Sequence, residues 1–193
     1  WVGHLVGSKK LSQYFDSFGI GKKTNIELEG EETGFLPDYQ EWSDIDLAVR
    51  SFGQGLAATP LQVLNAFNVI ANGGYLLEPK IISKIVDGTK ETVLPTKNLK
   101  RVISKNTSDT MVGMLEKAVE GGEGKYFTIK DYRIAGKTGT AEVPDETGGY
   151  SANRTNATFV GFMAGSRKFS MIVKLEEPKT SVYAAETSVP LWM

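Results

Sequence analysis

The chain has 193 residues, 40% of them hydrophobic, and its 22 basic and 23 acidic side chains leave a net charge of −1. That balance provides no long-range field favouring nucleic acid or an anionic membrane, so partners must be recognised by a shaped site. There is no Cys and a single His, which excludes disulfides, thiol catalysis, thiolate metal sites and multi-His metal sites.

In chain order, His4 comes first and reads as a partly buried polar residue ahead of a helix rather than as part of a Ser-His-Asp triad. Leu11, Tyr14, Phe15 and Phe18 sit at helical spacing, with Gly19 as the stop. Asn25 to Gly30 alternates polar and apolar like a short half-exposed strand, and Glu29, Glu31 and Glu32 around it suggest a solvated turn. Residues 33–50 read as an irregular connection. Thr59-Pro60-Leu61-Gln62 then opens a helix with an N-cap hydroxyl, Pro at the first position and Gln for a capping box. Residues 60–71 are apolar nearly all round, which predicts a central core helix ended by Asn72-Gly73-Gly74. Ile81 to Val93 reads as a hairpin around Asp87-Gly88.

Met111, Met114, Leu115, Ala118 and Val119 predict an amphipathic helix, the two Met as core filling, stopped by Gly121-Gly122. Strands follow at Tyr132 to Val143, Ala157 to Ala164 and Phe169 to Leu175. A polar loop over Pro144 to Asn153 and a tight turn over residues 165–168 separate them. Residues 182–193 start a helix. Helices first, a three-strand antiparallel meander next and a helix last make an α+β fold. No apolar run approaches the ~20 residues needed to cross a bilayer, and no charged-then-apolar leader opens the sequence. With Trp1 in place of an initiator Met and an abrupt end at Met193, the chain reads as a segment of a longer protein.

The stretch Ala135-Gly136-Lys137-Thr138-Gly139-Thr140-Ala141-Glu142 admits two chemistries. A phosphate-binding loop needs Gly five residues before the Gly-Lys pair and a helix after it. Asp131 stands at the first position and Pro144 with β-like flanks denies the second, so that reading fails. The other is one wall of a serine acyl-transfer site. On an edge strand, Lys137 supplies a fixed positive charge, and Thr138 and Thr140 offer hydroxyls to a substrate carboxylate. Gly139 lets a substrate lie along the strand, and the Thr140 backbone N–H faces a developing oxyanion. Taken alone the triplet is weak, an exposed turn with a surface lysine being the plain alternative.

Lys137-Thr138-Gly139 is the third signature of serine penicillin-recognising enzymes, and its surroundings resemble the class B penicillin-binding proteins. Phe18-Gly19-Ile20-Gly21 with Thr24 and Gly30-Glu31 is similar to the family's FGFG…TGIDLPGE segment. Ser51-Phe52-Gly53-Gln54-Gly55, Ala58 to Gln62 and Ala71 to Gly74 resemble its SxGQG…TPLQ…ANGG block, and Ala157 to Phe162 its ASFVGF strand. Asn25, where the family usually has Gly, and a shortened C-terminal helix are the departures.

The resemblance implies the penicillin-binding protein/serine β-lactamase-like fold, with residues 1–193 as the C-terminal part of a transpeptidase domain. It implies a membrane-anchored peptidoglycan DD-transpeptidase outside the cytoplasmic membrane, acting in cell division or elongation. Such an enzyme cross-links stem peptides through a serine acyl-enzyme and is trapped by β-lactams. The anchor would lie in an absent N-terminal part, contacts with other cell-wall synthesis proteins fit the class, and no metal or other cofactor is implied. By match, Lys137, Thr138, Gly139 and Thr140 carry over as the third motif. The family's Ser-x-x-Lys, with its nucleophilic serine and activating lysine, is absent, since no serine here has Lys three residues later. Ser104-Lys105-Asn106 and Ser151-Ala152-Asn153 imitate the second motif, Ser-x-Asn, whose family position is upstream of Trp1. The first precedes a helix and the second lies in the loop after the Lys-Thr-Gly strand, so both read as decoys, and the chain alone should not form an acyl-enzyme. Gly148-Gly149 and the polar residues of 144–155 suggest a mobile loop lining the acceptor side, or a plain surface loop. A serine β-lactamase and a catalytically silent β-lactam- or peptidoglycan-binding or sensor domain are the alternatives.

Overall fold

In the computed structural model, which describes residues 1–126, 129–145 and 149–193, the helices come first and a three-stranded antiparallel sheet last. The chain divides into two units, Trp1–Val69 with Gly74–Ser104, and Ile70–Gly73 with Lys105–Met193. Among the described residues no helix is long and apolar enough to cross a membrane.

The first unit contains α1 (Val2–Val6), α2 (Ser8–Ser17), α3 (Asp44–Arg50) and most of α4 (Pro60–Ala71). Two strand pairs complete it: β1 (Tyr75–Leu77) with β4 (Asn98–Arg101), and β2 (Lys84–Asp87) with β3 (Lys90–Val93). The capping box at α4 forms as its spacing suggests. The Thr59 Oγ1 accepts from the Gln62 N–H at 3.2 Å, and the Gln62 Oε1 accepts from the Thr59 N–H at 3.1 Å. Gln62 is also a core residue, 1% exposed, with its Nε2 donating to the Lys22 and Thr33 carbonyls at 2.7 and 2.8 Å. Polar Gln62 and Asn65 thus occupy buried positions, while Leu61, Val63, Leu64 and Phe67 are only half-buried; α4 is less purely apolar in its packing than its composition suggests. The hairpin closes with Asp87 opposite Lys90, so its two-residue turn is Gly88-Thr89, with Gly88 at φ 59.

Four expectations fail in this unit. Residues 25–30 form no strand: Asn25 takes φ 61, which breaks an extended run. The Glu31 carboxylate accepts from the N–H groups of Thr24 and Asn25 at 2.7 and 3.0 Å and from the Thr24 hydroxyl at 2.6 Å, so Glu31 clips a loop instead of sitting in a solvated turn. Residues 33–50 are not wholly irregular. Ser43 and Asp46 build a capping box that starts α3, with bonds of 3.1 and 3.0 Å. His4 lies on α1 and is exposed, because a five-residue helix with no buried member leaves it in solvent.

In the second unit α5 (Lys105–Gly121) is followed by β5 (Ile134–Pro144), β6 (Tyr150–Met163), β7 (Ser170–Glu176) and α6 (Ser188–Trp192). Sheet order is β5-β6-β7, which makes β5 an edge strand. The buried face of α5 carries Ser108, Val112, Leu115, Glu116 and Val119, whereas Met114 is 60% exposed and Ala118 exposed. The stripe is displaced because two polar residues claim inward positions: the Ser108 hydroxyl donates to the Ile70 carbonyl at 2.6 Å, and Glu116 binds Arg133. The expected loop over 144–153 is shorter, since β5 runs through Pro144 and β6 begins at Tyr150; Gly148 lies outside the described residues. Ile134, Phe159, Val119, Val189 and Trp192 form a core cluster against which Met163, Met171 and Val173 pack. Trp192 meets Phe159 edge to face, centroids 5.2 Å apart at 77°, and donates its Nε1–H to the Met171 carbonyl at 2.8 Å. An aromatic pair of this kind is worth about 0.5–1.5 kcal/mol beyond its buried area.

Candidate functional site

The strand β5 changes character at Lys137. Ile134, Ala135 and Gly136 are buried, and Lys137, Gly139 and Thr140 are exposed. Its hydrogen-bond phase follows from one bond at its start, where the Ala164 N–H donates to the Arg133 carbonyl at 2.8 Å, just beyond the Ile134–Met163 pair. In an antiparallel ladder, bonded and non-bonded pairs alternate. Ala135, Lys137 and Gly139 therefore bond to Phe162, Val160 and Thr158 on β6, while Gly136, Thr138 and Thr140 turn their backbone N–H and C=O groups toward the sheet's edge.

The side chains divide similarly. The Lys137 Nζ curls over its neighbour, donating to the Thr138 carbonyl at 3.0 Å and to its hydroxyl oxygen at 3.3 Å. Thr138 is half-buried. The Thr140 Oγ1 accepts from the Ala184 N–H at 3.2 Å, which leaves its own hydroxyl hydrogen for donation. Nothing in the sequence pointed to this partner, which comes from the segment leading into α6. A cavity of about 230 Å³ lies against Gly136, Lys137 and Thr138, walled by Ala118, Val119 and Gly122 at the end of α5.

The two glycines of the motif have different grounds. A Cβ at Gly136 would stand 2.5 Å from the Phe159 Cζ and 2.9 Å from the Val160 carbonyl oxygen. The Phe159 ring occupies the space, and Gly136 is required by packing. A Cβ at Gly139 would meet nothing closer than the Thr158 Cβ at 3.9 Å. The fold alone has no need of glycine there.

At its start the motif strand is tied to α5 by a two-pronged ion pair. The Arg133 Nε and Nη2 donate to the two Glu116 carboxylate oxygens at 2.7 and 2.9 Å. That hydrogen bonding and charge hold the Arg133 pKa above its ordinary value. A carboxylate on an otherwise apolar helix face, as Glu116 is beside Leu115, was the sequence signal for such a pair. The imitation second motifs stay outside the site: Lys105 and Asn106 belong to the first turn of α5. Ser151 lies on β6, not in a loop, opposite Val143 and roughly 20 Å along the strand from Lys137 at ~3.3 Å per residue.

The family described as penicillin binding protein transpeptidase domain matches residues 1–191. Stage V sporulation protein D of Bacillus subtilis is 36% identical over 185 residues, covering 94% of this chain and 28% of that protein. The peptidoglycan D,D-transpeptidase FtsI of Escherichia coli is 36% identical over 188 residues, covering 96% of this chain and 30% of that one. The chain thus spans under a third of either relative's length. Among solved structures, penicillin binding protein 3 of Mycobacterium tuberculosis complexed with ampicillin superposes with a TM-score of 0.88 at 30% identity, over 98% of this chain and 44% of that one. Sequence, fold and the edge strand bearing Lys137 to Thr140 agree, and the chain belongs to the penicillin binding protein transpeptidase domain family.

Proposed function

We propose that this chain supplies the substrate-binding edge strand of a peptidoglycan D,D-transpeptidase whose nucleophilic serine lies on a part of the protein outside these residues. The carrying observation is the phase of β5, with Thr138 and Thr140 directing backbone groups off the sheet edge on either side of a glycine that packing does not require. A stem peptide lies antiparallel or parallel along that edge and pairs with the Thr138 and Thr140 backbone. Lys137 and the Thr138 and Thr140 hydroxyls bind its carboxylate. When the serine attacks the penultimate D-alanine carbonyl, the Thr140 N–H stabilises the oxyanion, a contribution of about 3–4 kcal/mol for a preorganised donor. The terminal D-alanine leaves, and an amine of a neighbouring stem resolves the acyl-enzyme. β-Lactams enter by the same path and stop at the acyl-enzyme. Ampicillin in the M. tuberculosis relative supports this reading, as does the peptidoglycan D,D-transpeptidase activity named for the E. coli relative. The working location is the outer side of the cell membrane, reached through an anchor upstream of Trp1.

The test is fluorescent-penicillin acylation of the full-length protein. Lys137→Ala is expected to slow acylation at least tenfold, while its exposed side chain leaves stability within about 0.5 kcal/mol. Unchanged acylation removes Lys137 from the site. An adduct that hydrolyses within seconds makes the protein a β-lactamase, and no adduct on the parent makes it a silent binding domain.

A further inference from the structure

Within the first unit a second cavity, of about 300 Å³, opens at the end of α2 beside β1 and β4. Small-molecule sites run from about 300 to 1,000 Å³, so this one suits a small ligand. Phe18, Leu76 and Leu99 line it, and Lys22, Lys23 and Lys100 set three ammonium groups against one lining carboxylate, Asp16. Asp16 pairs with Lys22 and, at 3.8 Å, with Lys100. Glu31, the other carboxylate near Lys23, is already engaged by Thr24 and Asn25. Positive charge is left over.

The lining also holds a buried side chain whose bonding is half complete. Asn65 is 7% exposed, and its Nδ2 donates to the Leu77 carbonyl at 3.0 Å. That bond fixes which end of the amide is nitrogen. The Oδ1 accepts no hydrogen bond from any described residue. Its neighbour Gln62 is fully bonded at both ends. The Oδ1 is not among the buried atoms left without a partner, so it is reachable from the cavity that Asn65 lines and is open to a donor entering there.

We propose that this cavity binds the carboxylate end of a short peptide. The carboxylate sits on Lys22 and Lys100, a backbone N–H of the peptide donates to the Asn65 Oδ1, and small apolar side chains lie against Phe18, Leu76 and Leu99. An inorganic phosphate leaves the apolar wall and Asn65 unused, and a neutral apolar molecule leaves the lysines unused. This site is separate from the Lys137 strand and does not rest on the transpeptidase reading.

The test is a titration of the full-length protein, labelled at its leucine methyls, with N-acetyl-alanyl-alanine. Saturable shifts are expected at Leu76 and Leu99, unchanged in Lys137→Ala and lost in Asn65→Leu. Lys100→Gln, a surface change that the fold tolerates, is expected to weaken binding roughly two- to fivefold, as for an exposed ion pair. The methyl ester of the same dipeptide is expected to bind more weakly than the acid. The proposal is overturned by an absence of saturable shifts at Leu76 and Leu99, by equal binding of acid and ester, or by unaltered binding in Asn65→Leu. Shifts that vanish in Lys137→Ala place the response on the motif strand and overturn it as well.

Discussion

Two alanine substitutions three residues apart should separate packing from chemistry within one motif. At Gly136 the added Cβ would lie 2.5 Å from the Phe159 Cζ, so the ring has to retreat by about 1 Å to reach ordinary contact. Phe159 cannot retreat freely, because Trp192 stands against it at 5.2 Å and is itself held by the Met171 carbonyl. Overpacking of this kind costs about 1–3 kcal/mol, and replacing a strand glycine returns about 0.5–1 kcal/mol. The net loss is about 0.5–2 kcal/mol, or roughly 1–8 °C in Tm at 2–4 °C per kcal/mol. At Gly139 the nearest atom is 3.9 Å away, so stability should stay within about 0.5 kcal/mol. There the loss appears in penicillin acylation of the full-length protein, expected to fall at least tenfold because the methyl occupies the face a ligand has to approach. Thermal melts and acylation kinetics on both variants read the two effects separately. A Gly136→Ala melt matching the parent would refute the packing account, and parental acylation by Gly139→Ala would refute the edge-strand account.

Burial raises the Glu31 pKa, but the hydroxyl and N–H of Thr24, the N–H of Asn25 and the Lys23 charge together hold it below its ordinary value of 4.5. A depressed folded-state pKa means that the clip's stabilisation is complete above the unfolded value and is lost as pH falls through the folded one. Denaturant melts should therefore show the parent losing about 1 kcal/mol more than Glu31→Gln between about pH 5 and pH 3, a partly exposed charge-assisted site being worth less than a buried one. Trp192→Phe should cost about 1–2 kcal/mol through the orphaned Met171 carbonyl, and Trp192→Ala about 3–5 kcal/mol through the cavity as well; a Trp192→Phe melt equal to the parent's would show that the indole N–H contributes nothing. In the latch on α5 the Glu116 side chain is 11% exposed and Arg133 68%. Arg133→Met, which strands the more buried partner, should lower the melting temperature measurably, and adding Glu116→Gln should restore part of the loss, as a double-mutant cycle would measure.

Local punctuation was the most legible part of the sequence. Thr59-Pro60-Leu61-Gln62 forms the bonds its spacing implies, and the three sheet strands lie within a few residues of their expected ends, apart from the earlier start of β6. At Ser43-Asp44-Ile45-Asp46 the same kind of signal is masked by Pro37 and a mixed composition around a short helix. Where reading failed, a long-range polar partner had overridden the local pattern. Glu31 reached back to Thr24 and turned an alternating segment into a clipped loop. Ser108 and Glu116 rotated α5 so that Met114 faces solvent. The β1–β4 pair, from Tyr75–Leu77 to Asn98–Arg101, spans a sequence separation that no short window sees. At the site, the four consecutive residues Lys137 to Thr140 were readable, but the Ala184 N–H on the Thr140 hydroxyl was not, since a backbone donor leaves no mark in a sequence.

The phase of β5 also dictates which changes in length its lineage can accept. Adding or removing one residue between Arg133 and Thr140 would reverse the parity of everything after it, turning the Thr138 and Thr140 amides toward β6 with every side chain of the motif still present. Substitution would be a smaller injury than a single-codon insertion. Past the register slip between Glu142 and Val143, whose partners are Thr155 and Ser151, the ladder already absorbs unequal lengths. Insertions and deletions should therefore accumulate beyond Glu142 and be purged before it, a pattern that deep insertion scanning of the strand would display directly.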